Sequence, residues 1–432
     1  MSGLRERLQR FRGDAAVKPA APSAAPAQPS LGERLRRLGS ARVGAAKPAH
    51  NAGVVQRQTA VAGVGIPDDS ELAGALGAER LADGVLRLAQ HRPLALRHGH
   101  CRLDADPAAV RLFVPEASAD PACWIAMDTE TSGLAGGTGT WVFLVGLAHW
   151  RNDRLELIQY LLTRLDAEAD FLACVRAELT QAALLLSYNG KTFDLPLLSA
   201  RLRLARMEDV ANDIPHLDLL HPVRRAFAPR WPDCRLASVE QRLLGHRRAG
   251  DLPGAEAPAA WLDWLRRGDG HRLQGVLAHN RTDLVSVAAL PARLAAAHLA
   301  PAAYGADPLR IARWRLAAGD AEAARRVLAD VGAAALEPEA RYLLGGLHAR
   351  AGDWSAALEL WQRLDAEGHT GACEALSKHF EHRVKDPAQA LAYARRLPPG
   401  PETERRCRRL AYKIRRDFGH CDGVIDLADE HH

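Results

Sequence analysis

The hydrophobic and polar positions between residues 101 and 299 follow two kinds of pattern. Short apolar runs typical of buried strands lie at Trp124–Met127, Trp141–Ala148, Leu155–Leu162 and Ala183–Tyr188. Helical spacing is found over Ala167–Thr180, Leu195–Ala205 and Asp283–His298. Strands that first follow one another and then alternate with helices predict an α/β domain, a mixed sheet flanked by helices.

The segments around this pattern are less regular. Residues 51–100 are mixed, with one helical pattern from Glu71 to Ala89, and we interpret them as an N-terminal extension. Residues 206–275 are rich in Pro, Arg and Trp. Residues 1–50 contain two basic pieces separated by an Ala/Pro/Ser stretch, a composition that cannot bury a core. We expect a disordered basic tail, which either contacts nucleic-acid phosphates or has no specific role.

The strand patterns stop near residue 300, and an all-helical region over 300–432 is expected. Three similar phrases place Asp320, Asp353 and Asp386 at intervals of 33 residues, each at the start of a helical pattern as an N-cap. This region resembles tetratricopeptide-like repeats, which bury their faces by stacking on neighbours. The resemblance implies a surface for a protein partner or for guiding substrate. A coincidence of Ala-rich composition is the alternative.

Composition narrows the class of protein. The chain of 432 residues has a net charge of +5, of which residues 1–50 supply +7, so the remainder carries −2 and global charge favours no particular partner. No apolar run is long enough for a membrane span, and the N-terminus lacks the apolar core of a secretory signal. Seven scattered cysteines, none in a Cys-x-x-Cys pair, argue against a disulfide framework or a structural zinc site. We expect a cytoplasmic protein.

Four acidic residues in three stretches carry the candidate chemistry. Asp128 and Glu130 end an apolar strand and, being two apart, share one face of it. Asp194 follows a strand, and Asp283 lies four residues after His279 on a predicted helix. Clustered carboxylates repel one another unless divalent cations hold them, and oxygen ligands suit Mg²⁺ or Mn²⁺. Two such ions can promote attack on a phosphodiester, with the His as a base.

These stretches, Asp128–Leu134, Asn189–Asp194 and His279–Asp283, resemble the three motifs of the DEDD (DnaQ-like) exonuclease superfamily, which has a ribonuclease-H-like fold. Residues 100–295 are more closely similar to the bacterial YprB-like ribonuclease-H-like family, through phrases at 136–146, 217–221, 239–245 and 251–254. The resemblance implies that the four acids bind two Mg²⁺ or Mn²⁺ ions and that His279 orients or deprotonates the attacking water. It further implies that Thr131 and Leu134 contact the terminal nucleotide and that Asn189 positions the strand.

One position departs from the superfamily pattern. A catalytic His usually lies five residues before the last Asp and a catalytic Tyr four before, whereas His279 lies four before Asp283. A shift of one residue rotates a helical side chain by about 100°. Tyr188 and His149 are therefore kept as alternative bases.

Two further features have competing interpretations. The glycine-rich run at 133–139 lacks the Gly-Lys-Ser/Thr ending and the following helix of a phosphate loop, so we interpret it as a hairpin connection. The irregular segment also contains a group of aromatic and basic residues: Trp231, Trp261, Trp264, Arg224, Arg225, Arg230 and Arg235. One interpretation is that they stack on and clamp a single nucleic-acid strand. The other, which we favour, is that the Trp side chains fill the core.

The sequence therefore predicts a metal-dependent 3′→5′ exonuclease that acts on single-stranded DNA or RNA ends. A weakly catalytic or non-catalytic nucleic-acid-binding scaffold is one alternative, and a structure-selective endonuclease of the same fold is another. No residue pattern distinguishes DNA from RNA.

Overall fold

The computed structural model describes residues 68–133 and 139–418. The predicted basic tail and the predicted nucleotide contact Leu134 lie outside the described residues. None of the helices in the described ranges is long and apolar enough to cross a membrane.

Nine strands are present in the described chain. They are β1 (Glu79–Ala82), β2 (Val85–Pro93), β3 (Arg97–His98), β4 (Cys101–Arg102), β5 (Trp124–Thr131), β6 (Val142–Arg151), β7 (Arg154–Leu162), β8 (Leu184–Ser187) and β9 (His216–Asp218). Seven of them form one sheet in the order β1-β2-β7-β6-β5-β8-β9, while β3 and β4 form a separate ribbon. The β5–β8 and β8–β9 pairs are parallel and the other pairs in the sheet are antiparallel. The predicted mixed sheet is confirmed.

Helices cover both faces of this sheet. They are α1 (Asp69–Leu76), α2 (Pro107–Arg111), α3 (Glu168–Leu179), α4 (Asp194–Leu204), α5 (Leu220–Phe227), α6 (Leu236–Val239), α7 (Ala257–Arg267), α8 (Leu273–Leu299) and α9 (Pro301–Tyr304). Short 3₁₀ turns lie at Pro121–Cys123, Leu165–Ala167, Ala211–Asp213 and Gly254–Glu256, and one π turn at Glu240–Leu244. The central strand β6 is apolar along nearly its whole length because both of its faces are covered.

The predicted helix from Glu71 to Ala89 is wrong beyond its first two turns. Helix α1 ends at Gly77, which has a φ of 63°, and β1 and β2 follow, turning at Gly84 with a φ of 89°. Both glycines adopt left-handed backbone conformations that interrupt a helix. The sheet therefore begins before residue 101, within the segment interpreted as an N-terminal extension.

Alternation along β5 separates the two cores of the α/β domain. Ile125 and Met127 join the cluster that contains Trp261, whereas Trp124 and Ala126 join the cluster that contains Leu284 of α8. Even-numbered positions of β5 therefore face the second half of α8, and the strand continues in this alternation to its acidic end.

The tryptophans of the irregular segment are part of the packing. Trp261 and Trp264 are buried and donate their indole N–H groups to the carbonyl oxygens of Leu162 at 2.7 Å and of Thr163 at 2.8 Å. Trp231 is half-buried and stacks on Phe227, with ring centroids 4.1 Å apart. The interpretation of these side chains as core residues is confirmed for Trp261 and Trp264.

The C-terminal region is helical throughout its described length. Its helices are α10 (Pro308–Ala317), α11 (Ala321–Val331), α12 (Pro338–Arg350), α13 (Trp354–Ala366), α14 (Thr370–His379), α15 (Pro387–Ala394) and α16 (Pro401–Phe418), with a 3₁₀ turn at Ala333–Ala335 and a π turn at Phe380–Val384. Asp320, Asp353 and Asp386 accept hydrogen bonds from the backbone N–H groups of Ala323, Ala356 and Gln389. The predicted N-caps are confirmed; the assignment to tetratricopeptide-like repeats remains a prediction.

The first C-terminal helices share a core with the α/β domain. Ile311 of α10 and Val327 of α11 belong to the same buried cluster as Leu290 and Leu294 of α8. The two regions thus pack through apolar side chains at their junction.

Candidate active site

The acidic end of β5 is brought against α8 and the start of α4. The side chains of Asp128, Glu130, Asp194 and Asp283 line one cavity of about 550 Å³, together with the imidazole of His279. Three stretches spread over more than 150 residues thus meet at one place, as the sequence predicts. The backbone antiparallel pairing of β5 with β6 also fits the predicted hairpin connection, although residues 134–138 lie outside the described chain.

The predicted substrate contacts lie at the rim of this cavity. Thr131 and Asn189 both line it. The Thr131 hydroxyl donates to the Gly133 carbonyl oxygen at 3.0 Å. Phe193 also lines the cavity and leaves 54% of its surface exposed, which is unusual for a large apolar side chain.

The electrostatic state of the acids follows from their burial in one place. Burial, followed by repulsion from Asp283, Asp194 and Glu130, raises the pKa of Asp128 well above its ordinary range. Burial, Asp283 and Asp194 raise the pKa of Glu130 to about 8. Burial raises the pKa of Asp194 to about 6, and burial also raises that of Asp283. The cluster therefore resists holding all of its negative charge at neutral pH without a cation.

This arrangement predicts that the metal-free protein loses stability as the pH rises. Because the folded-state pKa of Glu130 is raised from 4.5 to about 8, the folded state binds more protons than the unfolded state between these values. Protonation of Glu130 therefore contributes stability that is fully present below pH 4.5 and is lost as the pH rises through 8. The loss in the free energy of unfolding is on the order of a few kcal/mol. Urea unfolding in EDTA across this range measures it. A Glu130→Gln variant that keeps the full slope would contradict the assignment.

Each of three acids has a protein partner that holds its carboxylate. Asn280 donates to Asp128 Oδ2 at 2.8 Å, Thr129 donates to Asp194, and Arg248 Nη2 lies 2.6 Å from Asp283 Oδ1. In keeping with these engagements, no group of three or more His, Cys, Asp or Glu side chains in the described chain forms a ready metal-ligand set. The donor set is nevertheless all oxygen and strongly acidic, and its repulsion would be relieved by a hard divalent cation. The residues present fit Mg²⁺ or Mn²⁺.

His279 points into the acid cluster despite its shifted spacing. Its Nδ1 lies 2.9 Å from both carboxylate oxygens of Asp251. Its Nε2 faces the acids, 3.8 Å from Asp283 Oδ2 and 4.0 Å from Glu130 Oε1. The backbone of Gly254 closes the other side, since a Cβ there would lie 3.2 Å from Nε2. The imidazole is thus oriented by one carboxylate and aimed at two others.

The alternative bases lie elsewhere. Tyr188 donates its hydroxyl to the Cys234 carbonyl oxygen and lines a different cavity. His149 is buried in β6, where its Nε2 lies 3.6 Å from Glu178. Neither side chain lines the cavity that holds the four acids.

Arg248 is a site residue that the sequence patterns did not reveal. Its guanidinium contacts Glu240 at 2.6 Å, Asp251 at 2.9 Å and Asp283 at 2.6 Å, and Glu240 is fully buried. These carboxylates raise the pKa of Arg248, which stays charged. Arg248 lies in an irregular loop, and the only sequence signal near it was the pair of flanking phrases at 239–245 and 251–254.

Asp218 is a second missed residue, and it shapes the turn that carries Asn189. Its buried carboxylate accepts the backbone N–H groups of Asn189 at 2.8 Å, Lys191 at 3.1 Å and Leu220 at 3.0 Å. Asn189 has a φ of 71°, a left-handed conformation that Asn tolerates better than most residues. The phrase at 217–221 therefore contributes a structural carboxylate that fixes the turn before Asp194.

Close packing of α8 on the sheet depends on Gly146, which pairs with Asp128 across β5 and β6. A Cβ at this position would lie 2.1 Å from Asn280 Oδ1 and 2.8 Å from Leu284 Cδ1. We expect Gly146→Ala to destabilise the protein by about 1–3 kcal/mol in urea unfolding, because α8 must move away from the strand. Gly74→Ala is the control, since nothing lies within 4 Å of a Cβ there. Equal stabilities of the two variants would refute this packing argument.

Comparison with known proteins places this geometry in a family. The family model RNase_H_2, of the RNase_H superfamily, matches residues 125–295. The uncharacterized protein YprB of Bacillus subtilis (strain 168) is 31% identical over 280 residues, covering 62% of this chain and 67% of YprB. The family B DNA polymerase from the archaeon Pyrobaculum calidifontis aligns over 63% of this chain with 14% identity and a TM-score of 0.32. The chain spans 34% of that polymerase, and a similarity of this size says nothing about function. By its sequence match to YprB and to the superfamily model, the chain belongs to the YprB-like family of the ribonuclease H superfamily.

Proposed function

We propose that this protein is a metal-dependent 3′→5′ exonuclease that removes nucleotides from single-stranded nucleic acid ends. The observation that carries the proposal is the convergence of four carboxylates and the His279 imidazole in one cavity at the end of β5. A ribonuclease H-like fold with this donor set suits hydrolysis of a phosphodiester.

The residues take distinct parts in this proposal. Asp128, Glu130, Asp194 and Asp283 would hold two Mg²⁺ or Mn²⁺ ions, which when bound supply positive charge to the phosphate and the departing oxygen. Asp251 accepts the Nδ1 proton of His279 and leaves Nε2 free to take a proton from the attacking water. Asn280 holds the Asp128 carboxylate in place.

The shape of the cavity favours attack at an end. Its volume of about 550 Å³ lies within the range of pockets that hold one small molecule. The exposed ring of Phe193 and the side chain of Leu197 add an apolar part to the lining of this cavity, on which a terminal base can stack. Thr131 and Asn189 lie at the same rim and would hydrogen-bond the sugar and the phosphate.

We expect His279→Gln to slow cleavage by roughly 10²–10⁴-fold, the usual contribution of a positioned acid–base group. Glutamine keeps most of the side-chain volume but cannot take the proton. The kcat and KM for a labelled oligonucleotide are the measurement, with divalent-ion binding by calorimetry as the control that should change little. A wild-type kcat in this variant would mean that another group accepts the proton.

One contact favours a second candidate function, a nucleic-acid-binding protein that does not cleave. The guanidinium of Arg248, 2.6 Å from Asp283, already places a positive charge against one of the four acids. If this ion pair persists when divalent ions are present, Asp283 is not available as a ligand. The protein would then bind a labelled strand without shortening it.

End-labelled substrates distinguish these functions. The purified protein is incubated with 5′-labelled single-stranded DNA or RNA and with an internally labelled circle, each with Mg²⁺, Mn²⁺ or EDTA. A ladder that shortens from the 3′ end only with metal supports the exonuclease, and the strand that is degraded identifies its substrate. Cleavage of the circle would replace this proposal with an endonuclease, and intact but bound strands would favour the binding protein.

A further inference from the structure

A second cavity is lined by residues of α8 other than those that line the acid cavity. It has a volume of about 270 Å³ and is formed by the ends of β2 and β7, the β3–β4 ribbon, the residue after Gly245 and one face of α8. Its polar side chains are three arginines, two histidines and one threonine: Arg92, Arg97, Arg281, His98, His246 and Thr282. None of the described residues that line it carries a carboxylate.

The three arginines of this cavity have no carboxylate partner in the described chain. Arg281 is half-buried, and its one hydrogen bond, at 3.0 Å, goes to the neutral amide oxygen of Gln159. Arg97 donates to the backbone carbonyl oxygen of His100 at 3.0 Å. Arg92 is exposed, and its guanidinium makes no hydrogen bond or ion pair with another described residue. Three positive charges thus share one concave surface without compensation.

Two other partly buried arginines of the described chain have carboxylate partners. Arg201 forms an ion pair with Glu168, and Arg248 forms ion pairs with three acids. A half-buried guanidinium such as that of Arg281 is costly when it is left without an anion. The unpaired set at this cavity therefore indicates that the missing negative charge comes from outside the chain.

We propose that this cavity binds a phosphate group. Guanidinium groups present paired N–H donors that match the oxygens of a phosphate, and three of them line this cavity. The volume admits a phosphate with a small organic group attached and is too small for a duplex. The site is distinct from the acid cavity, and the proposal stands whether or not that cavity cleaves nucleic acid.

Two chains of hydrogen bonds run from this cavity to the acids. On one side Arg281 donates to Gln159, which donates to Asn280 Oδ1 at 2.7 Å, and Asn280 donates to Asp128. This chain passes through the close contact between α8 and the sheet. A phosphate that draws Arg281 away from Gln159 therefore alters the support of Asp128.

The second chain reaches Asp283. His98 Nε2 lies 2.8 Å from Ser286 Oγ, Ser286 donates to buried Glu240, and Glu240 holds Arg248 against Asp283. Because both chains end on candidate metal ligands, an occupied phosphate site is placed to influence the acid cavity. The chemistry of the ligand is the same for a free phosphate monoester and for a phosphodiester of a bound strand.

Calorimetric titration of the full-length protein with inorganic phosphate in EDTA tests the proposal. We expect saturable binding to the wild type, weakened at least about tenfold in Arg92→Gln and in Arg281→Gln, which is about 1.4 kcal/mol of binding free energy each. Arg92 is exposed, so its variant keeps the fold even if Arg281→Gln does not. Arg350→Gln, which removes an exposed charge from α12, is the matched control and should bind as the wild type does.

A second titration identifies the source of the phosphate. A short single-stranded oligonucleotide is compared with and without a 5′-phosphate. Arginine-dependent binding that requires the 5′-phosphate indicates a monoester, and binding that does not require it indicates the backbone diester. Absence of saturable phosphate binding to the wild type, or equal affinities of the wild type and Arg92→Gln for phosphate, would overturn the proposal. Because no metal and no cleavage are involved, failure here is separate from failure of the proposed exonuclease.

Discussion

Asp128→Asn is expected to abolish metal-dependent cleavage while making the metal-free protein more stable. Asn has nearly the same shape as Asp and can accept the hydrogen bond that Asn280 donates to Asp128. The substitution removes the negative charge of the buried Asp128 carboxylate, which Asp283, Asp194 and Glu130 repel. The rate of cleavage should fall by roughly a thousandfold or more, because one of the carboxylates that would hold the divalent ions is removed.

The stability change is the more specific part of this expectation. In EDTA, the variant should gain about 1 kcal/mol or more in urea unfolding, since an unfavourable buried charge is gone. With Mg²⁺ or Mn²⁺, the wild type should be stabilised more than the variant, because ions that bind the folded state alone shift its apparent stability. Asp153→Asn, at an exposed position between β6 and β7, is the matched control.

These two readouts separate a metal site from a structural acid. A variant that loses activity and also loses stability in EDTA would show that Asp128 supports the fold. A variant that degrades strands at the wild-type rate would remove Asp128 from the site altogether.

Arg248→Met should destabilise the metal-free protein by about 3–5 kcal/mol, the usual cost of removing one partner from a buried ion pair. The change leaves the fully buried Glu240 and the half-buried Asp251 and Asp283 without their shared cation. Methionine fills much of the volume of the arginine stem, so the lost charge is the main effect. Urea unfolding in EDTA measures the change.

A double variant and a control variant at the neighbouring arginine make the Arg248→Met measurement specific. Glu240→Gln in the Arg248→Met background should restore part of the lost stability, because it removes the buried charge left unpaired. Arg247→Met alters the exposed neighbour and should change stability by less than about 0.5 kcal/mol. An Arg248→Met protein as stable as the wild type would mean that the three acids do not depend on this guanidinium.

The features that the sequence predicted correctly are those that depend on local residue patterns. The alternation of β5 placed Asp128 and Glu130 on one face, and the recurring Asp at 33-residue intervals marked N-caps that the hydrogen bonds of Asp320 and Asp353 confirm. Strand alternation and each single Asp cap act within a few residues, and the 33-residue interval only repeats the cap.

The features that were missed depend on contacts between distant segments. Strands β1 and β2 were predicted as part of a helix because β2 joins the sheet by pairing with β7, about 70 residues later, and no local pattern encodes that pairing. Arg248 sits in a loop whose importance is set by Glu240 and Asp283, on either side of it in the chain. For His279, spacing alone could not decide the direction of the side chain, because the hydrogen bond that its Nδ1 donates to Asp251 fixes the ring.

Helix α8 carries Asp283 in its first half and packs against the C-terminal helices in its second half. From Asp283 to Leu299 it runs about 24 Å at 1.5 Å per residue. Because Leu290 and Leu294 share a core with Ile311 and Val327, the C-terminal helices brace the later part of the helix that carries Asp283, around its internal Pro291. A chain in which another module replaced these helices would therefore need new apolar partners for Leu290 and Leu294, because both side chains would otherwise be exposed to water.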